Sequence, residues 1–145
     1  MENIILHAHR GFAYLVILLA LLFVISLLLT MFGYSGKISK FLRKTSLFTM
    51  IMFHIQFLVG LGMLFFRSPF LDIIGSQGMG AIMKNSELRF SYIEHPTMML
   101  VAAVLMTIAN KKIKTNETLN FGIVILGILA VLAFLSRFPF DKLFG

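Results

Sequence analysis

Residues 11–32 read GFAYLVILLALLFVISLLLTMF, an apolar run without a single charged side chain. About 18 such residues suffice to cross a hydrocarbon core of roughly 30 Å as a helix. Lipid offers backbone groups no hydrogen bonds, so an isolated run of this kind must satisfy its own, which an α-helix does. Three further apolar stretches follow, giving predicted spans at about 6–32, 45–66, 92–110 and 119–135. The expected fold is an all-α, four-helix transmembrane bundle forming one domain over residues 1–145. Met1–His9 carries no basic n-region and no small-residue cleavage pattern follows the run, so the first span is expected to persist in the mature protein.

The composition agrees. The chain is 59% hydrophobic and 13% charged, with a mean hydropathy of +0.93, where a soluble domain carries about a quarter charged residues. Absence of cysteine excludes disulfides, thiolate metal sites and iron–sulfur clusters. Without tryptophan, the interfacial anchors fall to Tyr14, Tyr34, Tyr92 and the phenylalanines. The net charge of +7 would suit nucleic acid. Its basic residues, however, flank apolar runs, and the partner they predict is a lipid bilayer.

Charge also orients the chain. Gly33-Tyr34-Ser35-Gly36 ends span 1 as a turn, and Lys37, Lys40, Arg43 and Lys44 follow. Lys111, Lys112 and Lys114 join spans 3 and 4, with Glu117 the one acid in either loop. The remaining basic residues are spread among acids. Both short loops are therefore expected in the cytoplasm, with both termini on the outer side. Asn116-Glu117-Thr118 has the form of a glycosylation sequon but falls in a cytoplasmic loop. Residues 67–90, too apolar for a linker and too broken by glycine to span, read as an interfacial segment between spans 2 and 3. Pro96 suits the first turn of span 3.

Three spans each carry a histidine: His9, His54 and His95. An imidazole is unfavourable at bilayer depth unless it faces protein and finds a partner, which makes each a candidate metal or cofactor ligand. Helical rise places His54 roughly 15 Å above the cytoplasmic boundary, His95 roughly 22 Å and His9 more than about 30 Å. His9 shares a face with Ala13, Val16 and Ala20; His95 shares one with Met99, Ala102, Met106 and Ala109. Such stripes serve close helix packing as readily as a flat cofactor. Gln56 fits either an interhelical hydrogen bond or a contact behind a ligand. Glu94 fits a helix cap, a group orienting His95, or a proton acceptor for a quinol. Arg10 and Arg89 either mark the interface or pair with carboxylates of a bound group. Depth favours His54 with His95 as a ligand pair; His9 with His95 is the alternative, leaving His54 a supporting or proton-handling role.

Three motifs carry a resemblance. His9-Arg10-Gly11-Phe12-Ala13-Tyr14 is similar to an HxGxRY-type opening, Phe53-His54-Ile55-Gln56 with Gly60 to a second-span signature, and Glu94-His95 with Met98-Met99 to a third. Over nearly its whole length the chain resembles the short four-helix bacterial membrane proteins labelled cytochrome b-like. It departs from that pattern at Arg10, at Ala13 where an arginine is expected, and at Phe138-Pro139-Phe140 where a tryptophan is expected. The resemblance implies a non-covalent b-type haem with ligands among His9, His54 and His95, and Arg10, Gln56 and Met99 beside it. No Cys-x-x-Cys-His motif exists for covalent attachment. The implied function is electron transfer linked to the quinone pool or a respiratory partner, as a carrier or oxidoreductase subunit rather than a stand-alone enzyme. The competing expectation is a haem-free accessory or scaffold subunit of a larger complex or homo-oligomer, with or without a histidine metal site.

Overall fold

The computed structural model describes residues 2–33 and 36–140. Tyr34 and Ser35 of the predicted turn, and residues 141–145 of the C-terminal end, lie outside the described residues. Seven α-helices follow in order: α1 (Glu2–Met31), α2 (Lys40–Phe66), α3 (Phe70–Gln77), α4 (Met79–Lys84), α5 (Ser86–Arg89), α6 (His95–Thr115) and α7 (Phe121–Ser136). A π-turn, Phe90–Glu94, joins α5 to α6, so residues 86–115 form one continuous rod. Three helical stretches are long and apolar enough to cross a membrane: Ile4–Met31, Lys40–Phe66 and Ser86–Thr115. Helix α7 is apolar but has 16 residues, about 24 Å at the helical rise.

Helices α1 and α2 and the 86–115 rod start earlier than hydropathy alone places them, while α7 starts two residues later. Ser39 caps α2 by accepting a hydrogen bond from Leu42 N, so the basic loop supplies the first turn instead of preceding the helix. Pro96 stands in the first turn of α6, as expected. That turn continues the 86–115 rod, so the proline ring crowds the carbonyl four residues back, within the π-turn. The helix widens in response, and His95 N–H bonds to the Phe90 carbonyl five residues back.

Helices α1, α2, α6 and α7 pack in that cyclic order, α1 closing against α7. The two diagonals are thus α1 with α6 and α2 with α7. Val16, Phe23, Leu27, Leu42, Met106, Ile113 and Ile123 fill the interior. Gly127 lets α7 approach α1: a Cβ there would lie 3.0 Å from the Phe23 ring and 3.1 Å from Leu27. Outward-facing positions are apolar as well, with Leu29, Phe32, Leu58 and Phe66 well exposed, a surface compatible with a multi-pass membrane protein.

At one end the two basic loops are joined. Lys37 and Thr118 form an antiparallel bridge, with Ile38 N–H donating to the Glu117 carbonyl and Leu119 N–H to the Gly36 carbonyl, both at 2.8 Å. The Arg43 guanidinium donates to the carbonyls of Ile113, Lys114 and Asn116 at the C-terminus of α6. Those carbonyls have no helical donors, and the helix dipole concentrates negative charge there, so a forked cation is well matched. At the other end the segment after α2 folds into α3 and α4. Phe70 and Ile82 pack with Leu64 in a second small core, so the predicted interfacial segment is helical and anchored to the bundle.

Candidate functional site

A cavity of about 510 Å³ opens at this second end, where α1 begins, α2 ends, the 86–115 rod turns into α6, and α7 ends. That volume lies within the range of small-molecule and cofactor sites. Phe53 on α2 and Phe134 on α7 stack across one diagonal at a centroid distance of 5.0 Å; both line the cavity and close it toward the interior. Its other diagonal carries the histidines: His9 from α1 and His95 from α6 both line the cavity. Gln56, Met99 and Arg10 line the same space, as do Gly60, Tyr92 and Arg67. No aspartate or glutamate is among the lining residues.

The hydrogen bonds fix chemical identities. His95 Nδ1 lies 2.8 Å from the Arg137 carbonyl oxygen. A carbonyl only accepts, so Nδ1 carries the proton and the ring's lone pair is on Nε2. This is the arrangement in which protein-bound imidazoles ligate metals through the opposite nitrogen. On the facing helix, Gln56 is nine-tenths buried and its Nε2 donates to the His9 carbonyl at 2.6 Å. Gln56 Oε1 and His9 Nδ1 are the buried side-chain polar atoms left without a hydrogen bond among the described residues. They belong to two residues that line the cavity from adjacent helices, α1 and α2. Gly60 leaves room for the His9 ring: a Cβ there would stand 3.5 Å from His9 Cε1.

His54 is elsewhere. It is exposed on the outer face of the bundle, and its Nε2 lies 2.6 Å from Thr107 Oγ1. That hydroxyl donates to the Ala103 carbonyl, so it accepts from His54. The pairing of His54 with His95 favoured by depth is not the one the structure brings together. Successive residues of a helix turn by about 100°, so positions 54 and 56 lie on nearly opposite faces and only one can point inward. The buried series Thr49, Phe53, Gln56 selects Gln56. Among the described residues no group of three or more histidine or acidic side chains is positioned to hold a metal ion.

Glu94 does not cap a helix, because the rod begins eight residues earlier, at Ser86. Its two oxygens receive Arg89 Nε and Arg137 Nε, each at 3.0 Å. Arg89 also donates to the Met83 carbonyl and is absent from the cavity lining. The second lining arginine is Arg67, read in the sequence only as the stop of span 2. Its signal was its position: it follows Gln56 and Gly60 by 11 and seven residues, a spacing of whole helical turns.

The residues present fit a flat, largely apolar group with acidic substituents and an axial-ligand requirement. Two imidazoles face one space from diagonal helices, aromatic rings wall it, and two arginines border it with no acid among its lining. Compared with protein-family models, curated proteins and solved structures, the chain matches none.

Proposed function

We propose that this chain is a small integral-membrane cytochrome b, with a non-covalent haem held between His9 and His95. The observation that carries the reading is the pair of imidazoles lining one cavity from diagonal helices, with His95 Nδ1 held by the Arg137 carbonyl. His95 then offers Nε2 as ligand, and His9 supplies the second imidazole. When bound, haem supplies one-electron exchange at its iron. The protein's own residues do the rest. Phe53, Phe134 and Phe138 keep water from the inner wall, Met99 adds a polarizable contact, and Arg10 and Arg67 pair with carboxylates. This reading accords with the cytochrome b-like resemblance, though it assigns His54 no ligand role.

In the same proposal all four helices span a bacterial inner membrane, α7 tilting least, with both joined basic loops in the cytoplasm and the cavity toward the outer side. Electrons pass between the quinone pool or a dehydrogenase and an outer-side partner. The test is the absorption spectrum of protein purified from haem-replete cells. A sharp reduced-state α-band is expected in the native chain and in His54→Ala, and its loss in His9→Ala and His95→Ala. A colourless native protein would return the chain to the class of haem-free accessory subunits.

A further inference from the structure

The carbonyl that fixes the proton on His95 belongs to Arg137, and Arg137 is held by its side chain as well as its backbone. Arg137 Nε donates to Glu94 Oε1 at 3.0 Å, while its carbonyl accepts from His95 Nδ1 at 2.8 Å. Glu94 precedes His95 in sequence, so the three groups close a loop between the π-turn and the end of α7. Arg137 terminates α7 with a non-helical conformation. The turn after it is held by bonds from the Arg137 and Phe138 N–H groups to the Leu135 carbonyl and from Phe140 N–H to the Phe138 carbonyl, with the Phe138 ring packed on Phe134. None of these bonds uses the Arg137 carbonyl.

We propose that Glu94 is a positioning residue for His95: by gripping the Arg137 guanidinium it holds the Arg137 carbonyl at Nδ1, and so sets which nitrogen faces the cavity. The carboxylate never touches the cavity, and it acts through a neighbour's main chain. The other oxygen of Glu94 binds Arg89, which reaches the Met83 carbonyl at the end of α4. That branch steadies the carboxylate and the segment above the bundle but makes no contact with the ring. The π-turn contributes by geometry. It inserts one extra residue into the helical turn just before His95, bringing the Glu94 carboxylate toward α7 while the imidazole remains on the inward stripe with Met99, Ala102 and Met106.

This inference rests on the proposed ligand role of His95 for its significance, but its test does not need haem. The full chain, prepared haem-free in nanodiscs and labelled with ¹⁵N in the imidazole rings, reports each tautomer by nitrogen chemical shift. His95→Ala assigns the resonance. Native protein is expected to show His95 as the Nδ1–H form. In Glu94→Gln and in Arg137→Lys, which keeps charge and stem, the Nε2–H form is expected to rise to a substantial fraction. Arg89→Gln is expected to leave the spectrum unchanged. If Glu94→Gln does not fold, Arg137→Lys gives the reading alone. A native-like His95 spectrum in folded Glu94→Gln or Arg137→Lys would overturn the proposal, showing that the end of α7 places the carbonyl by itself. A tautomer shift in a protein that never takes up haem would uphold the Glu94 device and defeat the cytochrome reading.

Discussion

The two ends of the bundle use the same four helices and opposite rules. At the loop end, polar groups find each other. Arg43 satisfies three carbonyls of α6 and its following turn, Ser26 pairs with Thr45, Thr49 donates to the Leu19 carbonyl, and Ser46 donates to Asn110. At the other end the helices stand apart around a cavity, and two buried polar atoms lack partners. Interhelical hydrogen bonds and close packing hold membrane helices together, since lipid is as apolar as leucine. The loop end is thus the more densely bonded, while the other end encloses a cavity bridged by the Gln56–His9, His95–Arg137 and Arg137–Glu94 bonds.

If that division is right, stability and ligand affinity separate by position. The largest stability effect is expected at Arg43. Replacing it by methionine keeps the stem but strips donors from three carbonyls; hydrogen bonds to charged groups contribute about 1.5–3 kcal/mol net each, and two of these three are solvent-exposed, where little of that is realised. A loss of about 1.5–3 kcal/mol in reversible unfolding is expected, with haem content per folded molecule unchanged. An equal fall in haem affinity at that distance would show that the two ends are not independent.

Gln56 is the converse case. Gln56→Leu removes the 2.6 Å bond to the His9 carbonyl but also a buried, orphaned oxygen, so a net stability loss under about 1.5 kcal/mol is expected. The same substitution takes away a carboxamide that anchors the His9 main chain, and losing a support of that kind typically costs about 10–100-fold in metal affinity. Haem titration of the variant checks this; wild-type affinity would mean that Gln56 serves only to join α1 to α2 through its bond to the His9 carbonyl.

How far the sequence carried this division follows from the range of each interaction. The long apolar helices and the stripes below His9 and His95 were legible because they depend on periodicity within one segment. The inward stripe of α2 was equally legible: Thr49, Phe53, Gln56 and Gly60 recur at spacings of three and four, and His54 is off it. Depth along the helix favours His54, but rotation around the helix decides which residue faces inward. The π-turn was within reach too, since Pro96 must disturb the turn before it wherever the helix began earlier. What periodicity could not show is pairing across the chain. Arg43 reaches carbonyls about 70 positions later, and the Arg137 carbonyl that sets the His95 tautomer is 42 positions from the ring.

The smallest effect sharpens the comparison most, because it asks whether the loop end is held by a few strong contacts or by many weak ones. Ser46 Oγ donates to Asn110 Oδ1 at 2.9 Å, and both side chains are buried between α2 and α6. Asn110 Nδ2 has Met50 Sδ at 3.5 Å as its partner, a weak acceptor. Ser46→Ala thus leaves one carboxamide oxygen unpaired in a dry interface. Such bonds between membrane helices average about 0.6 kcal/mol and reach about 1.7, because the separated helices also find partners. A loss near the lower figure is expected, together with an unchanged haem spectrum. A loss matching that of Arg43→Met would mean that the α2–α6 contact, rather than the capped end of α6, carries the cohesion of this half of the molecule.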